Sequence, residues 1–455
     1  MVKDTSNCAR SRRKRGSLSN APNEIVNHIL GFLPTSSLAN LCLVSKSLRR
    51  RAEPLLYSNI VLEWTIERAP LIAELLQTLL KRPELLAYIN TLSLQGNEPL
   101  NSDLPSLKPS GFIIRGLVAA VRKFNVSFAD LWVQKLQAGA MDAYAALLIA
   151  QLSNVSRLAV VDNFLRSPDL LAQVIQAKAL GQLPKFKRLE QMIFFAPTRN
   201  QTPEVAMAPF NLPAITHLVV SARDIEALAW PAGESDLSHL TSLAINSHCA
   251  GLMAGLLSRT WNLKSLSWEW EYYAEAVNVN YDEIMGALSH VKSTLQTLHI
   301  RVELLHYFQG HEEPNLTISG SLGALADFDE ITDLEVPLVA LAGLGPEIQP
   351  LAMCLPRNVQ SLSLTSGMIY QQAGWLPDLE DERPDESVVE AIEEFVVTYT
   401  TRPPRLRSIK VIDNANCFRT QQIDKMLEES PLFDDVEIEV VRSTSSPWRH
   451  SLGGM

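Results

Sequence analysis

Nine histidines and five cysteines are the side chains of this 455-residue chain best suited to hold a metal or attack a substrate. Zinc sites use ligand pairs a few residues apart. Cys8, Cys42, Cys249, Cys354 and Cys417 are scattered with no Cys-x-x-Cys pair, His306 and His311 lie in a loop-like stretch, and His-Glu-x-x-His does not occur. Gly-x-Ser-x-Gly, the P-loop and Gly-x-Gly-x-x-Gly are also missing, so Gly343-Leu344-Gly345 and Gly320 to Gly323 read as ordinary loop glycines. No catalytic residue, cofactor site or metal site is expected. What remains is recognition chemistry. Trp268, Trp270 and Tyr272 alternate with glutamates and share one strand face, which makes them candidate substrate-binding anchors, with burial in a core as the plainer alternative. From Leu376 to Glu394 the chain carries Asp378, Glu380, Asp381, Glu382, Asp385 and Glu386 against Arg383, a solvated acidic loop or a surface for a basic partner.

Charge narrows the partners. The first nineteen residues hold Lys3, Arg10, Arg12, Arg13, Lys14 and Arg15 against Asp4; that tail is +5, leaving −15 of the total −10 for the rest. An acidic body repels phosphate backbones, and no basic stripe follows residue 20, so nucleic acid is not an expected ligand. No apolar run approaches the ~18–20 residues that span a bilayer, and the basic start is not followed by the apolar stretch of a secretory signal. Unpaired, scattered cysteines suit a reducing compartment. The expected location is cytoplasmic, nuclear or both, with Arg12-Arg13-Lys14-Arg15 either an import signal or part of a disordered tail.

The elements that position any binding groups begin at residue 20. Asn20 or Ala21 can cap a helix whose first turn takes Pro22 and Glu24, and Ile25, Val26, Ile29, Leu30 and Leu33 follow at helical spacing before Pro34. Thr35, Ser36 and Ser37 offer caps for a second helix with Leu38, Leu41 and Cys42. Ser45 can cap a third that carries Leu48, Ala52 and Arg49 to Arg51 and stops before Pro54. Three short helices bury little surface alone, so their leftover apolar face either docks a partner or caps the following domain.

This segment resembles the F-box. Ala21-Pro22-Asn23-Glu24-Ile25 is similar to the family's Leu-Pro-x-Glu-Ile, Ile29 to Pro34 to the end of its first helix, and Leu41 to Leu48 to its Leu-x-x-Val-Ser-Lys stretch. The chain departs from the pattern at Ala21, where leucine is usual, and at Leu48, where tryptophan is frequent. The resemblance implies that Pro22, Ile25, Ile29, Leu30, Leu33, Pro34, Leu38, Leu41, Val44 and Lys46 bind a Skp-type adaptor, and through it a cullin.

Beyond residue 56 one template, apolar-x-x-apolar-x-apolar, recurs thirteen times, from Tyr57-Ile60-Leu62 to Phe433-Val436-Ile438, with a mean step of about 31 residues. Its members include Phe128-Leu131-Val133. Helical stretches lie between them: Leu71 to Leu86, Phe112 to Phe124, Ala143 to Leu152, Leu170 to Leu180, Val388 to Tyr399 and Ile423 to Leu427. The expected fold class is α/β, a short three-helix F-box followed by an irregular solenoid of parallel strands alternating with helices. An ordinary parallel α/β domain is the competing reading. Asn97, Asn163 and Asn414 stand three residues after the template, where a repeat of this kind uses an asparagine to bond turning backbone. The array resembles the irregular leucine-rich repeats of fungal F-box proteins, on Leu76 to Leu85 and on Leu334 to Leu338 with Cys354-Leu355-Pro356. The expected domains are a disordered basic tail (1–19), the F-box (20–56), the solenoid (57–441) with its acidic loop near 376–387, and a second disordered tail (442–455). The resemblance implies a non-catalytic subunit that selects a protein substrate for a Skp-cullin-F-box ubiquitin ligase. A repeat scaffold without a ligase role is the alternative.

Overall fold

A computed structural model describes residues 22–96, 98, 102–195, 202–222, 237–272, 276–304, 315–342, 351–365, 405–413 and 437–442. Both tails, the acidic stretch, Asn97, Asn414, His306, His311, Gly343 to Gly345 and the helices expected at 388–399 and 423–427 lie outside the described residues.

Three helices open the chain, α1 (Asn23–Gly31), α2 (Thr35–Val44) and α3 (Lys46–Leu56). Fourteen strands follow: β1 (Asn59–Glu63), β2 (Thr91–Gln95), β3 (Arg157–Val161), β4 (Gln191–Phe195), β5 (His217–Ser221), β6 (Ser242–Asn246), β7 (Ser265–Tyr272), β8 (Ala276–Asn280), β9 (Thr297–Leu304), β10 (Asn315–Ser319), β11 (Asp333–Pro337), β12 (Ser361–Thr365), β13 (Ser408–Asp413) and β14 (Glu437–Arg442). Twelve form one open parallel sheet in chain order, while β8 and β10 pair separately. Strand order that repeats sequence order, without a switch point or closure, is the arrangement of a repeat solenoid rather than of a doubly wound domain or a barrel.

The pairing has no stagger. The central template residue of each strand faces its counterpart on the next, from Ile60 opposite Leu92 through Leu158, Met192, Leu218, Leu243, Leu266, Leu298, Leu334 and Leu362 to Ile409. From β1 to β13 this row and the row two residues later turn into one continuous core. Between strands run α4 (Ile72–Lys81), α5 (Gly111–Lys123), α6 (Ala129–Gln137), α7 (Met141–Gln151) and α8 (Asp169–Ala179), whose apolar faces join that core. Helix α7 is buried on every side from Met141 to Ala150, which is why its sequence has no polar face.

Two expectations are corrected. Phe128-Leu131-Val133 is not a strand: it spans the start of α6, where Trp132, Val133 and Leu136 are buried and Leu131 is exposed. The indole of Trp132 stacks near Phe124 and Phe128 and donates to the Ala143 carbonyl at 2.9 Å, contacts that a helical turn brings together and a strand would separate. The last strand is displaced by two residues, because Ile438 rather than Val436 stands opposite Ile409. An alternating strand can slip by two without exchanging its faces, so the sequence pattern alone does not fix that register.

Polar groups tie successive units together. Asn163, which follows β3, donates from Nδ2 to the Trp64 carbonyl at 2.7 Å, so its amide holds the turn after β1 across the intervening unit. Gly96 lies between them. A Cβ there would stand 2.3 Å from the Trp64 oxygen and 2.5 Å from the asparagine nitrogen, so the position requires glycine. On α8, buried Lys178 donates to the carbonyls of Ala150 (3.2 Å), Leu152 (2.7 Å) and Pro184 (2.6 Å), satisfying acceptors at the end of α7. Burial pushes Lys178 down from 10.5 to about 7.

Lys178→Met should lower stability by ~1–3 kcal/mol by orphaning buried carbonyls. The pH dependence has a definite sign. Between about pH 7 and 10 the unfolded lysine holds a proton that the folded one has released, so the stability of the native protein relative to the variant rises with pH over that window. Denaturant titrations of both proteins at several pH values check this; a difference independent of pH would mean that the three carbonyls keep the lysine charged.

Candidate functional site

The three amino-terminal helices form a body with its own core. Helix α1 begins one residue later than expected. Pro22 is its cap, and the Val26 amide bonds the Pro22 carbonyl at 3.1 Å. Helix α2 likewise starts after Pro34 without a side-chain cap, so the hydroxyls of Thr35 to Ser37 are not used that way. Ser45 does cap α3, its hydroxyl accepting from the Leu48 amide at 3.2 Å. That helix continues through Pro54 to Leu56 rather than stopping before the proline. Pro54 falls in the last turn, where loss of one backbone bond costs little further helix.

Helix α1 has two apolar stripes. Val26 and Leu30 point inward against Leu38 and Ala52, with Leu33, Leu41, Cys42, Leu55 and Leu56 packed around them. Burial raises the Cys42 thiol above its ordinary range, so it is not a ready nucleophile. Ile25, Ile29 and Phe32 recur at i, i+4 and i+7 on the other stripe and are exposed, Phe32 by 77% and edge-on to His28. At the end of α2, Leu43 is 86% and Val44 69% exposed. Large apolar side chains left in water on so small a body form an uncovered apolar surface, each worth ~1.5–3 kcal/mol when fully buried.

The expected contact residues divide accordingly. Pro22, Ile25, Ile29, Pro34, Val44 and Lys46 are exposed, and Leu33 and Leu41 are half-buried. Leu30 and Leu38 are corrected: both are enclosed in the core of the three helices and have no free surface to offer a partner. Phe32 and Leu43 are exposed as well, although the sequence reading did not single them out. The spacing of Phe32 from Ile25 and Ile29 carried the signal. Lys46, Arg49, Arg50 and Arg51 stand against Glu24 and Glu53, making this body cationic on a chain of net charge −10.

The aromatic anchors are corrected as well. Trp268 and Trp270 are buried in the sheet core with ring centroids 5.3 Å apart, and Trp268 donates to the Ser247 carbonyl at 2.8 Å. The side chain of Tyr272 lies outside the described residues. The opposite face of the sheet presents different groups. Ala159, Val161 and Ile193 form an apolar cluster with Phe195 and Val219. Ser221, Asn246, Glu269 and Arg301 follow across adjacent strands, and Arg301 pairs with Glu335. The Ser221 hydroxyl and both amide atoms of Asn246 are buried without a partner. Among the described residues, no cluster of His, Cys, Asp and Glu could hold a metal ion, and no helix is long and apolar enough to cross a membrane.

Residues 18–63 match the F-box-like family. The match covers α1 to α3 and β1, the body that carries the uncovered apolar side chains and the start of the sheet that follows it. No curated protein matches the sequence. The chain therefore carries an F-box-like domain ahead of a mixed α/β body with a large parallel sheet.

The two stripes of α1 should respond differently to charge. Leu30→Asp buries an unpaired carboxylate and should unfold the F-box-like helices, at a cost above ~3 kcal/mol. Phe32→Asp sits in water and should change stability by less than ~0.5 kcal/mol. Hydrogen exchange of the α1 to α3 amides in the two variants distinguishes them, and equal protection would show that the stripes are assigned the wrong way round.

Proposed function

We propose that this chain is the substrate-recognition subunit of a Skp-cullin-F-box ubiquitin ligase of the leucine-rich-repeat type known from fungal F-box proteins. The carrying observation is that the F-box-like match falls on the helices where Ile25, Ile29, Phe32, Leu43 and Val44 stand uncovered. Those side chains bind a Skp-type adaptor, which bridges to a cullin. The surrounding lysine and arginines favour an acidic rim on the adaptor, speeding encounter more than adding affinity.

The rest of the chain acts as a leucine-rich-repeat receptor that holds a protein substrate. With Trp268 and Trp270 inside, the groups left to a bound chain are those of the face opposite the helices, where Phe195 and Val219 stand half-buried beside the enclosed Ala159–Val161–Ile193 cluster. The subunit contributes no catalytic group. It acts by proximity, converting transfer of ubiquitin from a bimolecular to an effectively intramolecular step. Its site of action is the cytosol or nucleus.

Co-purification from cells with the Skp-type adaptor and cullin tests this reading. Ile29→Asp combined with Phe32→Asp should cut adaptor recovery at least tenfold while the fold survives. Undiminished recovery would overturn the docking role of α1 and favour a scaffold that does not enter the ligase.

A further inference from the structure

The chain passes from one core to another within two residues: Leu55 and Leu56 pack with the F-box-like helices, Tyr57 with the sheet core. Two separately packed bodies joined by a continuous segment form a hinge unless something crosses it. The backbone contributes at the joint itself, where the Ser58 carbonyl accepts from the amides of Asn90 and Thr91, both at 2.9 Å. These bonds fix the start of β1 on the sheet. Ser58 also reaches back to α3, its hydroxyl donating to the Leu55 carbonyl at 2.8 Å and its amide to the same carbonyl at 3.2 Å. Beyond that joint, among the described residues, the side-chain hydrogen bonds between α1–α3 and the array belong to one pair: Arg82, at the end of α4, donates Nη1 to Glu53 Oε1 at 2.7 Å and Nη2 to Glu53 Oε2 at 2.9 Å.

Three features make this pair more than a surface contact. Its fork-on-carboxylate geometry is directional, so it resists rotation as well as separation. The Glu53 side chain is only 14% exposed, which limits screening. Each partner is also held from its own side, Arg82 by Glu84 at 2.9 Å and Glu53 by Arg49 at 3.3 Å, so less side-chain freedom is lost when the central pair closes. Cys42 on α2 and Glu84 beyond α4 also register the Glu53 charge. The bond from Arg82 holds the Glu53 carboxyl below its usual range.

We infer that Glu53 and Arg82 form a latch that sets the orientation of the F-box-like domain on the repeat array, and so the direction in which a bound adaptor projects from a bound substrate. The latch rests on the reading of α1–α3 as an adaptor-binding domain only for that last consequence. Both residues are positioning residues. Neither is needed to contact adaptor or substrate.

Single-molecule energy transfer between dyes at the exposed positions Asn40 and Arg188, in the full chain without adaptor, tests the latch. A narrow distribution is expected for the native pair. Arg82→Met should broaden it at least twofold, and Arg82→Lys, which keeps charge but loses the fork, should give an intermediate width. Arg50→Met, an exposed change on α3 outside the latch, should leave it unchanged. Adaptor recovery by Arg82→Met should equal that of the native chain. A distribution as narrow in Arg82→Met as in the native protein, or equal broadening by Arg50→Met, would overturn the latch. Loss of adaptor with an undisturbed distribution would also overturn it, by placing Arg82 at the docking surface. If the native chain itself fails to recover adaptor, the ligase reading falls while the energy-transfer result still decides the latch.

Discussion

An unstaggered parallel ladder is the constraint on which the array depends. Each strand offers its neighbour the same two inward rows, so no unit can complete its own core and every unit completes the next. From Ile60 to Ile409 the central residues stand opposite one another without a slip. The helices then have one face to cover. The buried ties obey the same logic: Asn163 reaches the turn after β1, and Lys178 closes the end of the preceding helix.

The F-box-like domain stands outside that ladder. Its core is built on Ala52, whose small side chain lets α3 approach α1 closely enough to enclose Val26 and Leu30. Enclosing that stripe leaves the other one, Ile25, Ile29 and Phe32, with nothing among the described residues to cover it. Exposure here is a consequence of how few residues the body contains. Three helices have too little interior for all the apolar side chains their sequence supplies.

Much of this was legible in the sequence, for identifiable reasons. Eleven strands followed the template because two inward rows and a preceding apolar residue are what a solenoid strand needs, and Pro34 and Ser45 punctuated the amino-terminal helices. The failures share a cause: a one-dimensional pattern does not say what stands opposite. Two apolar stripes on α1 are equivalent until α3 is placed, so Leu30 and Leu38 were assigned to the surface. Phe128-Leu131-Val133 satisfied the template although its rings are brought together by a helical turn. Trp268 is the most instructive case, since burial was the plainer of its two readings. It already occupied the third template position, which points inward everywhere else in the array, so the repeat itself argued against an exposed anchor.

Connections between strands differ widely in length, residues 96–156 between β2 and β3 against 247–264 between β6 and β7, yet the ladder on either side is unaltered. Register is carried by the strands alone, which uncouples the frame from whatever is spliced between its members. Insertions such as α5 and α6, or the β8–β10 pair, add local surface without altering the spacing of any other unit. A lineage carrying such a frame is free to gain and lose contact surfaces at individual units while the placement of its two ends is inherited unchanged.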